Sequence, residues 1–233
     1  MTSAIEFRQV TKRFGSRTVL DNLSFAIPKG EIVAIVGPSG TGKSVTLKHI
    51  VGLLEPDAGE VVCASSRTGY LFQSGALLAW MTVRENVALP LVETTDLKPE
   101  EVDQRVDAAL SAVGLMDAGD KYPSEISGGM QKRAGLARAI VRDVDTVLYD
   151  EPTSGLDPVS SGVIHELIAK LNRERGVTSV IVTHDLMNAL KIAHRVLLLK
   201  DGRAIAYLPT EEFVRSSESS VREFLQAMKG ERV

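Results

Sequence analysis

The segment Gly37-Pro38-Ser39-Gly40-Thr41-Gly42-Lys43-Ser44 constrains this chain more than any other, because it matches G-x-x-x-x-G-K-[ST] between a predicted strand and a predicted helix. Ile32 to Val36, just before it, is an apolar run too short for a helix and reads as a strand buried on both faces. From Ser44 to Gly52 the pattern is helical. Glycines let successive backbone N–H groups curl around an anion, Lys43 offers a point charge to the β- and γ-phosphates, and the Ser44 hydroxyl can ligate magnesium. A nucleoside triphosphate is the guest such a loop favours.

The rest of the chain supplies a frame of the right kind. Ile5 and Phe7, then Leu23, Phe25 and Ile27, alternate as antiparallel strands before Pro28-Lys29-Gly30 turns the chain. Thr68 to Phe72, Thr146 to Tyr149 and Ser179 to Thr183 read as further strands. Helices are expected from Pro99 to Gly114, from Ser127 to Arg142 and from Ser160 to Arg175, with the stretch after Phe72 irregular. Asp201-Gly202 signals a type I′ hairpin. Alternating strands and helices predict an α/β fold with mainly parallel strands, and 233 residues suit one large unit with at most a small appendage.

Composition excludes several classes. A hydrophobic share of 44% and a charged share of 24% belong to a globular protein rather than a disordered one. A net charge of −3 provides no bulk positive field, so nucleic acid is not the expected partner. The longest apolar run, Ala76 to Met81, falls far short of the roughly 18 to 20 residues needed to cross a bilayer. Glu6, Arg8, Lys12 and Arg13 stand where a signal peptide would be apolar, so residence in the cytosol is expected. Cys63, the single cysteine, is expected to be a buried small hydrophobe.

Asp150 and Glu151 end a strand as adjacent carboxylates, and extended backbone sends them to opposite faces. Asp150 suits a metal and Glu151 a water molecule. His184 follows another strand at the carboxyl end, where open parallel sheets bind ligands. His49, His165 and His194 have no such placement.

Taken in order, Gly37 to Ser44, Gln73, Ile126-Ser127-Gly128-Gly129-Met130, Asp150-Glu151, Ser154-Gly155-Leu156-Asp157 and His184 resemble the ATP-binding cassette (ABC) ATPase family over residues 4 to 208. The resemblance implies a P-loop cassette with a mainly parallel RecA-like core sheet, an N-terminal antiparallel β subdomain and an α-helical subdomain at 74–142. It implies ATP and Mg2+ as ligands and ATP hydrolysis as the activity. Two copies would bind two ATP molecules head to tail, so that Ser127, Gly128 and Gly129 act on the partner's nucleotide. Phe14 would stack on adenine, Gln73 would touch the metal or its water and sense a membrane partner, and Glu151 would be the general base. His184 would sense the γ-phosphate, and Asp157 would lie in the loop that joins the two sites. Val45 stands where the family commonly has threonine, and Met130 where it often has glutamine.

Phe72 to Leu91 and Gly129 to Ile140 resemble the Mla/MCE lipid-transport ATPases. That resemblance implies phospholipid transport driven by a homodimer at the cytoplasmic face of the inner membrane. Integral membrane permease subunits, lipid-binding MCE-type subunits and accessory subunits would be its partners. Ala76 to Met81 would then dock a cytoplasmic helix of the permease. Another cargo, such as an amino acid or lipoprotein, and a soluble ATP-driven switch are the alternatives. In the tail at 209–233, Ser220 and Glu223 form a capping-box pattern, and Val221, Phe224, Leu225 and Met228 form one apolar helical face. That face packs on its own cassette or on a neighbour.

Overall fold

The computed structural model describes residues 2–230. Two long strands, β1 (Ser3–Phe14) and β2 (Arg17–Pro28), pair antiparallel, and β4 (Ala58–Cys63) adds to the other edge of β1. Their alternation buries Ile5, Phe7, Leu23, Phe25 and Ile27. Phe7 and Phe25 stack with ring centroids 4.6 Å apart. The second sheet has six strands in the order β5-β6-β7-β3-β8-β9: β5 (Thr68–Leu71), β6 (Thr146–Asp150), β7 (Thr178–Val182), β3 (Ile32–Val36), β8 (Arg195–Lys200) and β9 (Arg203–Pro209). Its first five strands are mutually parallel, and β9 returns antiparallel to β8. All of β3 and β7 is buried, as continuous apolar runs require when both faces are covered. Asp201 and Gly202 both adopt positive φ, 51° and 76°, the backbone a type I′ turn demands.

Helix α1 (Lys43–Ile50) follows β3 and packs on one face of this sheet with the antiparallel sheet's core. On the other face lie α2 (Val83–Thr94), α3 (Pro99–Ala112), α4 (Gly128–Ile140) and α5 (Pro158–Arg175). Short helices α6 (Leu186–Ala189) and α7 (Thr210–Arg215) and the terminal α8 (Ser219–Gly230) complete the chain.

Four expectations are corrected. The stretch after Phe72 is not irregular throughout: α2 forms there, opened by a capping box in which Thr82 accepts from the Glu85 N–H and Glu85 from the Thr82 N–H. Val83, Val87 and Leu91 make its buried stripe, and this packing holds the helix despite Pro90 in its interior. Second, Cys63 is exposed, because β4 lies at the sheet edge; its Sγ rests 3.3 Å from the Ile50 carbonyl oxygen. Third, the chain is already helical at Ser219, so Ser220 lies inside α8 and is not its cap. Fourth, of Ala76 to Met81 only Ala76 lines the neighbouring groove, while Leu77 packs on the core and Trp80 is 73% exposed. The apolar face of α8 lies against its own chain, with Val221 buried and Phe224, Leu225 and Met228 packed on the core.

Candidate nucleotide site

The parallel strands deliver their carboxyl ends to one edge of the sheet, where the loops after β3, β5, β6 and β7 converge. Gly37 leaves β3 at φ 150°, and a Cβ there would stand 2.0 Å from the Leu199 carbonyl oxygen. Gly42 is the left-handed N-cap of α1 at φ 99°, with Leu20 Cδ2 2.7 Å from where a Cβ would be. Both positions exclude side chains, which is how the loop stays tight enough to aim its N–H groups inward.

Lys43 Nζ donates to the carbonyl oxygens of Gly37 at 2.8 Å and Pro38 at 2.9 Å, so the ammonium is held within the loop's own arc. Burial pushes its pKa down, against the opposing pull of the Glu151 and Asp150 charges. Thr41 spends its hydroxyl on the Pro38 carbonyl at 2.8 Å and shapes the loop from within. A cavity of about 410 Å³ opens over the loop, walled by Phe14, Arg17, Ser39, Gly40, Gly42, Lys43, Ser44, Val45, Gln73 and Glu151. That size and its mix of aromatic, cationic and backbone groups suit a nucleotide.

Asp150 closes β6, but Glu151 leaves the strand in a left-handed backbone, so the two carboxylates do not part by the strand alternation expected of them. Ser44 Oγ donates to Asp150 Oδ1 at 2.8 Å, and the Tyr70 hydroxyl donates to Asp150 Oδ2 at 3.1 Å. Burial and the Asp150 charge together push the Tyr70 pKa up, which keeps that hydroxyl a donor. Ser44 and Asp150 thus bring two hard oxygens together beside the phosphate loop, a donor set that fits a magnesium ion completed by phosphate and water.

Glu151 adopts φ 49°, a backbone that non-glycine residues hold only when their surroundings enforce it. Its N–H donates to the Val182 carbonyl at 2.9 Å. Its Oε2 accepts the His184 N–H at 3.3 Å and lies 2.7 Å from His184 Nδ1. Oε1 has no hydrogen-bond partner among the described residues. Gln73 reaches across to Ser154, its Nε2 donating to Oγ at 3.4 Å.

Ser127, Gly128 and Gly129 stand apart from this cavity. Ser127 caps α4, its Oγ accepting the Met130 N–H at 3.3 Å, and Ser127 and Gly128 are exposed. Their neighbours are the start of α5: a Cβ on Gly129 would meet Ser160 Oγ at 3.2 Å, and one on Gly128 would meet Leu156 at 3.9 Å. Asp157 caps α5, accepting the N–H groups of Val159 at 2.9 Å and Ser160 at 3.0 Å; the Ser160 hydroxyl first, and then these N–H groups, hold its carboxyl below the usual range. The three unassigned histidines have local partners: Nδ1 of His49 and of His165 lies within hydrogen-bond distance of the carbonyl one turn earlier, and Nδ1 of His194 accepts the Ile32 N–H.

Sequence reasoning passed over Tyr70, Arg17 and Lys132. Arg17 donates to the Gly40 carbonyl at 3.3 Å, and Lys132 Nζ donates to the carbonyls of Gln73 and Glu151. Their residue types carry no motif; only the folded chain brings them to the site.

The ABC transporter family model matches residues 20–154 of the chain. The intermembrane phospholipid transport system ATP-binding protein MlaF of Haemophilus influenzae is 42% identical, over 95% of this chain and 90% of its own. The probable ribonucleotide transport ATP-binding protein mkl of Mycobacterium bovis is 40% identical, over 98% of this chain and 68% of its own. Among solved structures, a dimeric ATP-binding cassette in a post-hydrolysis state bound to ADP and Pi has a TM-score of 0.81 at 33% identity, over 88% of this chain and 98% of that one. The chain belongs to the ABC transporter family, as an ATP-binding and ATP-hydrolysing subunit.

Proposed function

We propose that this subunit energises phospholipid transport between membranes by closing on a second copy of itself around two ATP molecules, coupled to an integral membrane permease. The observation that carries the hydrolytic reading is Glu151: its carboxylate is oriented by His184 at 2.7 Å beside Lys43 and Ser44, with Oε1 free to take a proton from water. Phe14 stacks on the base. The backbone of Gly37 to Ser44, with Pro38, Ser39, Gly40, Thr41, Gly42 and the Val45 N–H, cradles the phosphates, and Lys43 faces the β- and γ-phosphates. Ser44 and Asp150, with Gln73 lining the same cavity, would hold Mg2+, which would supply charge neutralisation on the phosphates. His184 orients Glu151 and senses the γ-phosphate. Ser127, Gly128 and Gly129 of one copy close over the nucleotide of the other, and Asp157 borders that contact.

The lipid reading is supported by the likeness to the phospholipid transport protein of Haemophilus influenzae along nearly the whole chain. The membrane reading is supported by a groove of about 480 Å³ beside Gln73, walled by Tyr70, Phe72, Ala76, Leu89 and Pro90 among others. Its mostly apolar walls, interrupted by Glu93, Arg138 and Arg142, would suit a short cytoplasmic helix of a permease, which supports reading the subunit as a peripheral one at the inner membrane's cytoplasmic face. No helix of the described residues is long and apolar enough to cross a membrane. We read residues 1–208 as the cassette, 74–142 as its helical subdomain and 209–233 as a helical extension. MCE-type and accessory subunits are further partners under this reading.

Glu151→Gln tests the hydrolytic assignment: Kd for ATP stays within twofold, while kcat falls by about 10²- to 10⁴-fold. Native turnover removes Glu151 from its role. Copurification from native membranes tests the cargo, with a permease and a lipid-binding subunit expected. A permease with a ribonucleotide or amino-acid receptor would move the assignment to that cargo.

A further inference from the structure

Helix α4 has two attachments of different kinds. Its N-terminus exposes Ser127 and Gly128 to solvent, while its following turns press on the loop after β5. The approach is close: a Cβ on Gly135 would stand 2.9 Å from Leu71 Cδ1 and 3.0 Å from the Gly75 carbonyl oxygen. Arg138 then donates to the carbonyls of Gly75 at 2.9 Å and Ala76 at 2.8 Å. The loop that carries Gln73 therefore rides on α4.

Lys132 extends this attachment to the end of β6. Its side chain is buried, at 6% exposure, and its ammonium donates to the Gln73 carbonyl and, at 3.2 Å, to the Glu151 carbonyl. Burying a lysine carries a desolvation penalty, and here the compensating hydrogen bonds join two separate segments of the site. Glu151 needs such support, since its φ of 49° persists only under constraint. Its N–H is tied to Val182, its carboxylate to His184 and its carbonyl to Lys132.

We propose that Lys132 is a positioning residue that keeps the Glu151 carboxylate in register with the helix presenting Ser127, Gly128 and Gly129, by holding the Gln73 and Glu151 carbonyls on one ammonium. The inference rests on the assignment of Glu151 as general base.

Steady-state and single-turnover hydrolysis of Mg-ATP by the full chain tests this. Lys132→Met fills the same space without the donor, and is expected to lower kcat about tenfold while KM, and Kd measured in the Glu151→Gln background, change less than twofold. Lys132→Arg, which can again donate to both carbonyls, returns kcat to within threefold of native. Added to Glu151→Gln, Lys132→Met causes less than twofold further loss, because the carboxylate it orients is gone. A native kcat in Lys132→Met, or a full tenfold loss on top of Glu151→Gln, overturns the proposal. If Lys132→Met does not fold, Lys132→Gln, reaching one carbonyl, is expected to lose about threefold, and native kcat there overturns it too. Native hydrolysis by Glu151→Gln sinks the base assignment and this inference with it, whereas an inactive Glu151→Gln beside a native-like Lys132→Met sinks this inference alone.

Discussion

The phosphate loop and the N-terminus of α4 are both glycine-rich entries to a helix, yet they are finished to different degrees. Around Gly37 to Ser44 one chain supplies everything: a wall of Phe14 and Arg17, a floor of backbone N–H groups, and Lys43, Ser44, Gln73 and Glu151 at the rim. Ser127 and Gly128 face solvent, with the Ser127 hydroxyl occupied only in capping its own helix. A helix N-terminus leaves N–H donors that want an anion, and among the described residues no carboxylate bonds to them. Under the proposed function, this contrast makes binding a property of one copy and hydrolysis a property of two.

Ser127→Arg should strain that contrast most. The substitution removes the cap, at about 1 kcal/mol of stability, and places a long side chain where a second copy must approach. Turnover should fall by about 10²- to 10³-fold, the worth of a lost preorganised donor, with the Kd for ATP within twofold. Light scattering of the variant in the Glu151→Gln background should show single copies with Mg-ATP. A weakened Kd would mean that the two regions are not separable.

Phe14→Ala acts on the finished side and should weaken binding by about 1 to 3 kcal/mol, with kcat at saturation little changed. Calorimetric titration with ATP reads this directly, and an unaltered Kd would return Phe14 to a packing role. Val45→Thr should have the smallest effect, a gain of about 0.5 to 1.5 kcal/mol from one added hydroxyl. Competition between the variant and the native chain for labelled ATP resolves a change of that size.

Both regions could be found from sequence because each is local. A phosphate loop is made by consecutive residues whose spacing reveals it, whereas Ser127-Gly128-Gly129, also consecutive, takes its meaning from the resemblance to the ABC family. Strands such as Ile32 to Val36 declared themselves by unbroken apolar character. Helix α2 did not, because Pro90 argues against a helix, although Thr82 and Glu85 at capping-box spacing and Val83, Val87 and Leu91 on one face were there to be read. Cys63 looked buried among valines because the edge position of β4 is a property of the sheet, which no short window of residues encodes. Lys132 was invisible for a related reason: its partners are backbone carbonyls on other elements, and acceptors of that kind leave no mark on residue type. Asn86 is similar, a fully buried amide that gathers the carbonyls of Leu78, Met81 and Thr82.

The central position of β3 has a consequence for how the molecule is made. Val33 pairs with Val180 on one side and Arg195 on the other, so the strand that launches the phosphate loop has no neighbours until most of the chain has left the ribosome. A nascent fragment ending before β7 would carry the complete glycine motif and still have no rigid base for it. A rigid base for the phosphate loop therefore waits on synthesis of the C-terminal half.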